Sequence, residues 1–267
     1  MVDSQAADAC ELGGRVRIWD RLGMAILVTG GSSGLGRAIA ERFARDGNDV
    51  FVNYHANDEA AAEAEAAIAA AGGTPHLVKA DVGTLEGVRE VIEVVREHTD
   101  RLDQLVHCAA KAVNGPLLDL DPRELRESVI VNGLSLVDLI REAGPLLGRG
   151  SAVFYLSSRG GRFVINEYGA LGTAKALGEH VVRYLAKELG PRGIRVITIA
   201  PGAVDTAALR AMFPETYEER LAASAAANPL GRGVEMDDAA ALIEALCHPH
   251  LEMVNGQTIT VDGGLSL

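Results

Sequence analysis

Short runs of aliphatic and β-branched residues alternate with longer helical patterns from Met24 to the end of the chain. The runs do not alternate between polar and apolar residues, which is typical of parallel strands buried on both faces. Repeated β-α units favour right-handed crossovers and predict an α/β fold with a doubly wound, parallel, seven-stranded sheet. The predicted strands are 26–29, 49–54, 76–79, 104–108, 152–157, 196–200 and 258–261, and the predicted helices are 36–46, 59–71, 85–98, 122–147, 167–189 and 237–247.

We expect a single domain over residues 24–267, because no low-complexity linker or internal repeat divides this part of the chain. Residues 203–232 interrupt the alternation, since they contain no strand pattern. An insertion at the carboxyl end of a parallel strand commonly covers a ligand crevice, which predicts a small helical substrate lid here. The alternative is a packing subdomain in which Met212 and Phe213 fill core. Residues 1–23 carry charges throughout without a long apolar segment, so we expect a disordered extension rather than a signal peptide.

Composition and charge argue against several classes of function. The 267-residue chain has a formal net charge of −12, which argues against a nucleic-acid-binding surface. No apolar run reaches the ~18 residues that suggest a membrane span, so no membrane partner is expected. Three cysteines without CxxC spacing favour a reducing compartment, and we expect a cytoplasmic protein. No metal site is predicted, because His248 and His250 have no Cys or carboxylate cluster to complete a coordination shell.

A glycine-rich turn, TGGSSGLG over residues 29–36, connects the first predicted strand to the first predicted helix. Gly30 and Gly34 allow a tight turn that approaches phosphate, and Gly36 allows the helix to lie close to the sheet. The helix N-terminus then offers unpaired N–H groups to a pyrophosphate. The context predicts a dinucleotide-binding Rossmann fold. The candidate cofactor-binding residues of this turn are Gly30, Ser32, Ser33, Gly34, Leu35 and Gly36.

The end of the second predicted strand distinguishes between nicotinamide cofactors. A carboxylate there would bind the adenosine ribose and repel a 2′-phosphate. This chain has Asn53, Tyr54 and His55 instead, with no acid until Asp58, which favours NADPH over NADH. His55 would help to bind the phosphate when protonated, whereas Ser33 occupies a turn position where a basic residue would help more.

A tyrosine and a lysine stand seven residues apart, Tyr168 and Lys175, within a predicted helix. Seven residues are almost two helical turns, so both side chains are expected on one helix face. A phenol and an ammonium on one face can act as a proton donor and its electrostatic activator. The pair is therefore the candidate catalytic centre.

These motifs together resemble the short-chain dehydrogenase/reductase family over residues 24–267. Two departures from the family pattern stand out. Residues 107–110 read HCAA where the family usually has NNAG, and Leu171 stands where the usual Tyr-x3-Lys spacing would place the tyrosine. Besides the glycine turn, the supporting motifs are Ala80-Asp81-Val82, Val131-Asn132-Gly133, Ser157-Ser158, the segment PGAVDT over 201–206 and the segment GQTITVDGG over 256–264.

The Tyr-x6-Lys spacing is similar to that of enoyl-acyl-carrier-protein reductases, which reduce a carbon–carbon double bond. The segments 202–210, 213–214 and 256–259 also resemble the enoyl-acyl-carrier-protein reductase III branch, which uses NADPH and forms tetramers. The resemblance implies an NADPH-dependent reductase of an enoyl thioester on an acyl-carrier protein, in fatty-acid or polyketide-type biosynthesis. It also implies a homotetramer that associates through 122–147, 167–189 and 258–267, with a dimer as the second possibility.

The resemblance also implies individual roles. Tyr168 would hydrogen-bond the thioester oxygen, Lys175 would bind the nicotinamide ribose and lower the tyrosine pKa, and Asn132 would organise a helix bulge near Lys175. Thr206 and the turn at Pro201 would hold the carboxamide of the cofactor. Asp81 would hydrogen-bond the adenine, or would instead be a helix N-cap. The remaining cofactor-binding candidates are Asn53, Tyr54, His55, Val82, Ala109, Gly202 and Val204.

Two alternatives stay open. Ser158 stands where the family has its substrate-orienting serine, which would serve a ketoreductase that acts on a polyketide-like carbonyl. The Leu171 substitution would also suit a catalytically silent dinucleotide-binding protein. His107 is expected to be a structural replacement near the cofactor. If the substrate is attached to an acidic carrier protein, the candidate docking residues are Arg123, Arg126, Arg159 and Arg162.

Overall fold

A seven-stranded, fully parallel sheet forms the centre of the protein in the computed structural model, which describes residues 23–45 and 47–267. The expected extension therefore lies, except for Gly23, outside the described residues. The strand order is β3-β2-β1-β4-β5-β6-β7, which confirms the predicted doubly wound fold. The strands are β1 Ala25–Thr29, β2 Asp49–Tyr54, β3 Thr74–Lys79, β4 Gln104–His107, β5 Ala152–Leu156, β6 Arg195–Pro201 and β7 Thr258–Val261.

Helices follow the strands. The predicted helix 122–147 is divided by a π-helical turn at Ile130–Leu134, where the resemblance implies a bulge at Asn132, and it ends at Ala143. The predicted helix 36–46 spans Gly34–Phe43, and the predicted helix 167–189 begins only at Gly169. The helices are α1 Gly34–Phe43, α2 Asp58–Ala70, α3 Leu85–His98, α4 Pro122–Val129, α5 Ser135–Ala143, α6 Gly169–Leu189, α7 Ala207–Met212, α8 Tyr217–Ala227 and α9 Met236–Leu246.

Local capping explains several helix starts. Asp121 accepts a hydrogen bond from the Arg123 N–H and Pro122 occupies the first turn of α4, as the sequence predicts. Thr84 caps α3 through the Gly87 N–H. Asp81 is therefore not the N-cap; its carboxylate accepts the Gly83 N–H at 2.8 Å and shapes the turn before that cap.

The sheet separates two hydrophobic cores. Leu27 and Leu105 contribute to one core, whereas Ile26 and Val106 contribute to the other. Successive residues of β1 and β4 thus face opposite sides, and every residue of both strands is buried. Burial on both faces explains the continuous apolar runs in the sequence.

The strand order reverses between β1 and β4, which places a crevice at the carboxyl ends of the strands. The glycine turn, the loops after β4 and β5, and the segment after β6 meet at this edge. Residues 203–232 form α7 and α8 without a strand, consistent with the predicted helical character. Among the described residues, no helix is long and apolar enough to cross a bilayer.

Candidate active site

The glycine turn between β1 and α1 is packed too closely for larger residues. Gly30 has φ 64° and Gly34 has φ 53°, both in the left-handed region that favours glycine. A Cβ on Gly30 would lie 2.8 Å from the Ala109 Cα, so this turn and the loop after β4 approach each other directly. A Cβ on Gly36 would overlap the Gly30 carbonyl. The structure therefore gives the turn the geometry that close approach to a phosphate requires.

The crevice contains a cavity of ≈ 680 Å³ that extends from the glycine turn to the helices α7 and α8. Most of the predicted site residues at the nicotinamide and phosphate positions line it. Nine other predicted site residues do not line it: Ser32, Gly36, Asn53, Tyr54, His55, Asp81, Val82, Ala109 and Asn132. The predicted residues that line the cavity are Gly30, Ser33, Gly34, Leu35, Ser158, Tyr168, Lys175, Pro201, Gly202, Val204 and Thr206.

Tyr168 is the N-cap residue of α6 rather than a residue of its first turn. Its backbone is held by a bridge to the loop after β4, where the Gly115 N–H donates to the Glu167 carbonyl at 3.1 Å. Glu167 has φ 63°, the one non-glycine residue with positive φ in the described part of the chain. This bend directs the Tyr168 side chain into the cavity, where its hydroxyl donates to the Ser158 Oγ at 3.1 Å.

Burial raises the pKa of Tyr168, and the hydrogen bond to Ser158 opposes this only in part. The expectation that Lys175 lowers the tyrosine pKa is therefore not met in this structure. The hydroxyl is protonated at neutral pH and available as a hydrogen-bond donor. The tyrosine ring also stacks on Phe213, with centroids 6.4 Å apart and an angle of 15° between the planes.

Lys175 projects from α6 into the same cavity and is only 4% exposed. Its Nζ donates to the Leu156 carbonyl at 2.7 Å and lies 5.0 Å from the centroid of the Tyr155 ring. Burial lowers the pKa of the ammonium to about 8. The group is thus mostly a cation at neutral pH and loses its proton as the pH rises through about 8.

The π-helical turn places Asn132 behind Lys175, as the family resemblance implies. The Asn132 Nδ2 donates to the carbonyls of Lys111 and Ser128, each at 2.9 Å. The Tyr155 hydroxyl donates to the Asn132 carbonyl. The buried Asn132 Oδ1 has no hydrogen-bond partner among the described residues, so it is an acceptor at the back of the site.

His107 is fully buried in β4 and has a structural role. Its ring nitrogens contact the Thr29 hydroxyl at 2.8 Å and the Ser135 hydroxyl at 3.0 Å, which connects β1, β4 and the start of α5. Burial lowers the pKa of the imidazole to about 3. The side chain is therefore neutral at physiological pH, as expected of a structural replacement.

The first carboxylate after the end of β2, that of Asp58, is paired with a cation. Asp58 accepts a hydrogen bond from the Tyr54 hydroxyl at 3.0 Å and pairs with the Lys79 ammonium at 2.7 Å. Asn53 is buried, and its amide donates to the Val78 and Ala80 carbonyls, so it stabilises the end of β2 instead of offering a free side chain.

Helix α8 and the segment before it supply cavity residues that the sequence analysis left without a role. Phe213 and Arg220 line the cavity beside Tyr168, and Cys108 lines it beside the glycine turn. Burial raises the pKa of the Cys108 thiol to about 11, which makes it unreactive. The aromatic residues 213 and 217 in an otherwise alanine-rich segment were the available signal for this wall.

Comparison with known proteins identifies close relatives of this arrangement. Residues 30–266 match the family described as enoyl-(acyl carrier protein) reductase. The chain is 34% identical to the 1-cyclohexenylcarbonyl-CoA reductase of Streptomyces collinus, over 90% of this chain and 86% of that protein. It is 30% identical to the 3-oxoacyl-[acyl-carrier-protein] reductase FabG of Staphylococcus aureus strain Mu50, over 90% of this chain and 96% of that protein.

Solved structures agree with this comparison. A short-chain dehydrogenase from Burkholderia cenocepacia J2315 in complex with NADP has a TM-score of 0.83 and 31% identity, with 92% of this chain and 99% of that chain covered. The angucycline C-6 ketoreductase LanV with bound NADP has a TM-score of 0.82 and 28% identity, with 92% and 98% covered.

Proposed function

Because the chain belongs to the short-chain dehydrogenase/reductase family and is an oxidoreductase that uses NADP(H), we propose that it reduces the carbon–carbon double bond of an enoyl thioester carried by an acyl-carrier protein. The observation that carries the proposal is the position of Tyr168. Its hydroxyl reaches Ser158 from the start of α6, while Leu171 occupies the usual tyrosine position. The enoyl-reducing relative and the family match support the same reading.

The residues present fit the cofactor. The glycine turn and the N-terminus of α1 would hold the pyrophosphate, since Gly30 and Gly34 leave their backbone open to it. Lys175 would bind the nicotinamide ribose, and Thr206 would bind the carboxamide. Asp58 is paired with Lys79 at 2.7 Å, which reduces its repulsion of a 2′-phosphate. When bound, NADPH supplies the hydride.

The side chains of the site would stabilise the negative charge that develops on the thioester oxygen. A tyrosine hydroxyl whose pKa is raised remains protonated and can donate a hydrogen bond to that oxygen. Ser158, at 3.1 Å from the tyrosine hydroxyl, would hold the hydroxyl in place or share the oxygen with it. Lys175 adds positive charge in an environment of low dielectric constant, where its field is strong. Leu171 and Phe213 would exclude water from the acyl chain.

Ketone reduction is the second candidate. Ser158 and Tyr168 form a hydrogen-bonded pair that could bind a carbonyl oxygen in the same way, and both FabG and LanV are ketoreductases by name. A silent dinucleotide-binding protein is the third candidate, and its support is the Leu171 substitution alone.

We also propose that the protein is a homotetramer. Apolar side chains on the predicted association helices are exposed in the single chain, including Leu134 at 41%, Leu177 at 37% and Tyr184 at 63%. Such exposed side chains on adjacent helices favour an interface between copies. Light scattering of the purified protein tests this, and a monomeric mass would contradict it. A cytoplasmic location remains the expectation from the cysteine pattern.

The test of function is NADPH oxidation with crotonyl and acetoacetyl thioesters side by side, for wild type and Tyr168→Phe. Reduction of the crotonyl thioester alone, with kcat lowered by about 10²- to 10⁴-fold in the variant, is the result we expect. Reduction of the acetoacetyl thioester alone would replace the proposal with ketone reduction. NADPH binding without turnover of either thioester would favour the silent protein.

A further inference from the structure

The wall of the main cavity is cationic in a chain that is strongly acidic overall. The chain has 37 acidic and 25 basic residues, counting Asp, Glu, Lys and Arg. Yet the charged side chains that line the cavity within the described part of the chain are all basic: Arg159, Lys175 and Arg220. Lys175 already has a role beside the nicotinamide. The two arginines are used by no step of the proposed reaction.

Arg159 follows Ser158 directly and lines the same cavity. Its guanidinium carbon lies 5.2 Å from the centroid of the Phe163 ring, which holds the side chain in place. Its Nε is buried and has no hydrogen-bond partner among the described residues. A buried donor without an acceptor is unfavourable, so this Nε is available to an acceptor that the chain itself does not provide.

Arg220 lies on α8 and also lines the cavity. Its guanidinium carbon stacks 3.8 Å from the centroid of the Phe213 ring, which in turn stacks on Tyr168. The Nε donates to the Thr216 hydroxyl at 3.0 Å, and the nearest carboxylate is that of Glu167, 3.8 Å from an Nη. The guanidinium thus has a fixed position with donor groups still available for a ligand.

We propose that the acyl group of the substrate carries a carboxylate, which Arg220 and Arg159 bind at the end of the acyl chain. The inference rests on the proposed reduction of a thioester, because it places the thioester oxygen at Tyr168. The Tyr168 and Phe213 ring centroids are 6.4 Å apart, and the guanidinium carbon of Arg220 lies 3.8 Å from the Phe213 centroid, so that carbon lies at most about 10 Å from the centroid of the tyrosine ring. An acyl chain of a few carbons spans this distance.

The phosphate of a phosphopantetheine arm is the other anion that such a thioester could bring. The arm between the sulfur and its phosphate is about as long as four extended residues, roughly 14 Å. An acyl carboxylate reaches Arg220 with a shorter chain, so we commit to the carboxylate. The arm phosphate is an outcome of the test.

The experiment compares two N-acetylcysteamine thioesters, one of hex-2-enedioic acid and one of its methyl ester, which differ only in the charge at the far end. We expect wild type to prefer the acid by about tenfold or more in kcat/KM, mainly through KM, as a charge-assisted hydrogen bond provides. Arg220→Gln and Arg159→Gln should each reduce this preference. Arg210→Gln is the matched control, because Arg210 lies on the neighbouring helix α7, pairs with Asp205 and does not line the cavity.

A binding experiment separates this inference from the proposed function. Calorimetry measures how tightly the complex of the protein with NADP⁺ binds the N-acetylcysteamine thioesters of hexanedioic acid and of its methyl ester, the saturated forms of the two substrates. Tighter binding of the acid that disappears in Arg220→Gln supports the inference even if no enoyl thioester is reduced. Equal binding of acid and ester overturns it while leaving enoyl reduction intact. Two further results also overturn it. Weaker NADPH binding in Arg220→Gln would assign the arginine to the cofactor. An Arg220-dependent preference for the crotonyl thioester of phosphopantetheine over that of N-acetylcysteamine would assign the arginine to the arm phosphate.

Discussion

The buried ammonium of Lys175 should lower the stability of the protein, and its removal should therefore stabilise the fold. The side chain is 4% exposed, and burial lowers its pKa from 10.5 to about 8. At about 1.36 kcal/mol per pKa unit, the charged form costs roughly 3 kcal/mol relative to the neutral form. Lys175→Met keeps the length of the side chain and removes the charge.

The sign of the pH dependence follows from proton binding. Between pH 8 and 10.5 the unfolded chain keeps the lysine proton and the folded chain loses it, so the stability of wild type rises with pH in this window. Lys175→Met should be about 3 kcal/mol more stable than wild type at pH 7, and this advantage should disappear near pH 10.5. For a chain of this size the difference at pH 7 corresponds to roughly 6 to 12 °C in Tm.

Urea denaturation without cofactor, at pH 7 and pH 10, measures the two differences. Cys108, whose pKa burial raises to about 11, titrates in both proteins and largely cancels from the comparison. Lys187→Met is the matched control, because Lys187 is exposed on the same helix, and it should change stability by less than about 0.5 kcal/mol. A variant at position 175 that is less stable than wild type at pH 7, or a difference that does not change with pH, would refute the reasoning.

Three further predictions follow from the packing of the site. Gly178→Ala places a Cβ against the ring and hydroxyl of buried Tyr155, so the free energy of unfolding should fall by about 2 kcal/mol. In the control Gly148→Ala the Cβ meets only the end of Arg101, so stability should be nearly unchanged, and equal effects would contradict this. His107 has a pKa of about 3 in the folded chain, lowered from 6.5, so the unfolded chain binds the proton first and the stability of wild type falls as pH drops from 6.5 to 3. Acid titrations should show that His107→Asn loses less stability than wild type over this range, and parallel curves would contradict this. Phe213→Leu removes the stacking on Tyr168, so kcat/KM for the thioester should fall by about two- to tenfold with NADPH binding unchanged; an altered Kd for NADPH would show that the ring serves the cofactor instead.

Most strands and helices could be predicted from local patterns. A strand buried on both faces is a continuous apolar run, and several helices begin at a polar N-cap residue such as Thr84 or Asp121. The exceptions have physical causes. The local pattern over 122–147 is helical throughout, and only the family resemblance implied the bulge at Asn132; in the structure Asn132 lies in a π-helical turn and donates to the Lys111 and Ser128 carbonyls. β3 begins at Thr74, two residues before its prediction, because pairing with β2 extends it through Pro75.

The candidate site shows the same division. The glycine turn, Ser158, Tyr168 and Lys175 could be selected from sequence, since each stands at a fixed spacing in a strand-turn-helix pattern. Their geometry could not, because it depends on tertiary contacts. The helix periodicity places Tyr168 inside α6, whereas the bridge to Gly115 holds it at the N-cap.

The sequence by itself determined the parallel sheet, the glycine-rich turn after β1 and the candidate residues of the site. These depend on residue type and on spacing along one or two adjacent elements. Only the tertiary structure decided the pKa directions of Tyr168 and Lys175 and the cationic wall formed by Arg159 and Arg220. Burial and the distance between residues far apart in the chain are set by how the elements pack, and no local pattern encodes them.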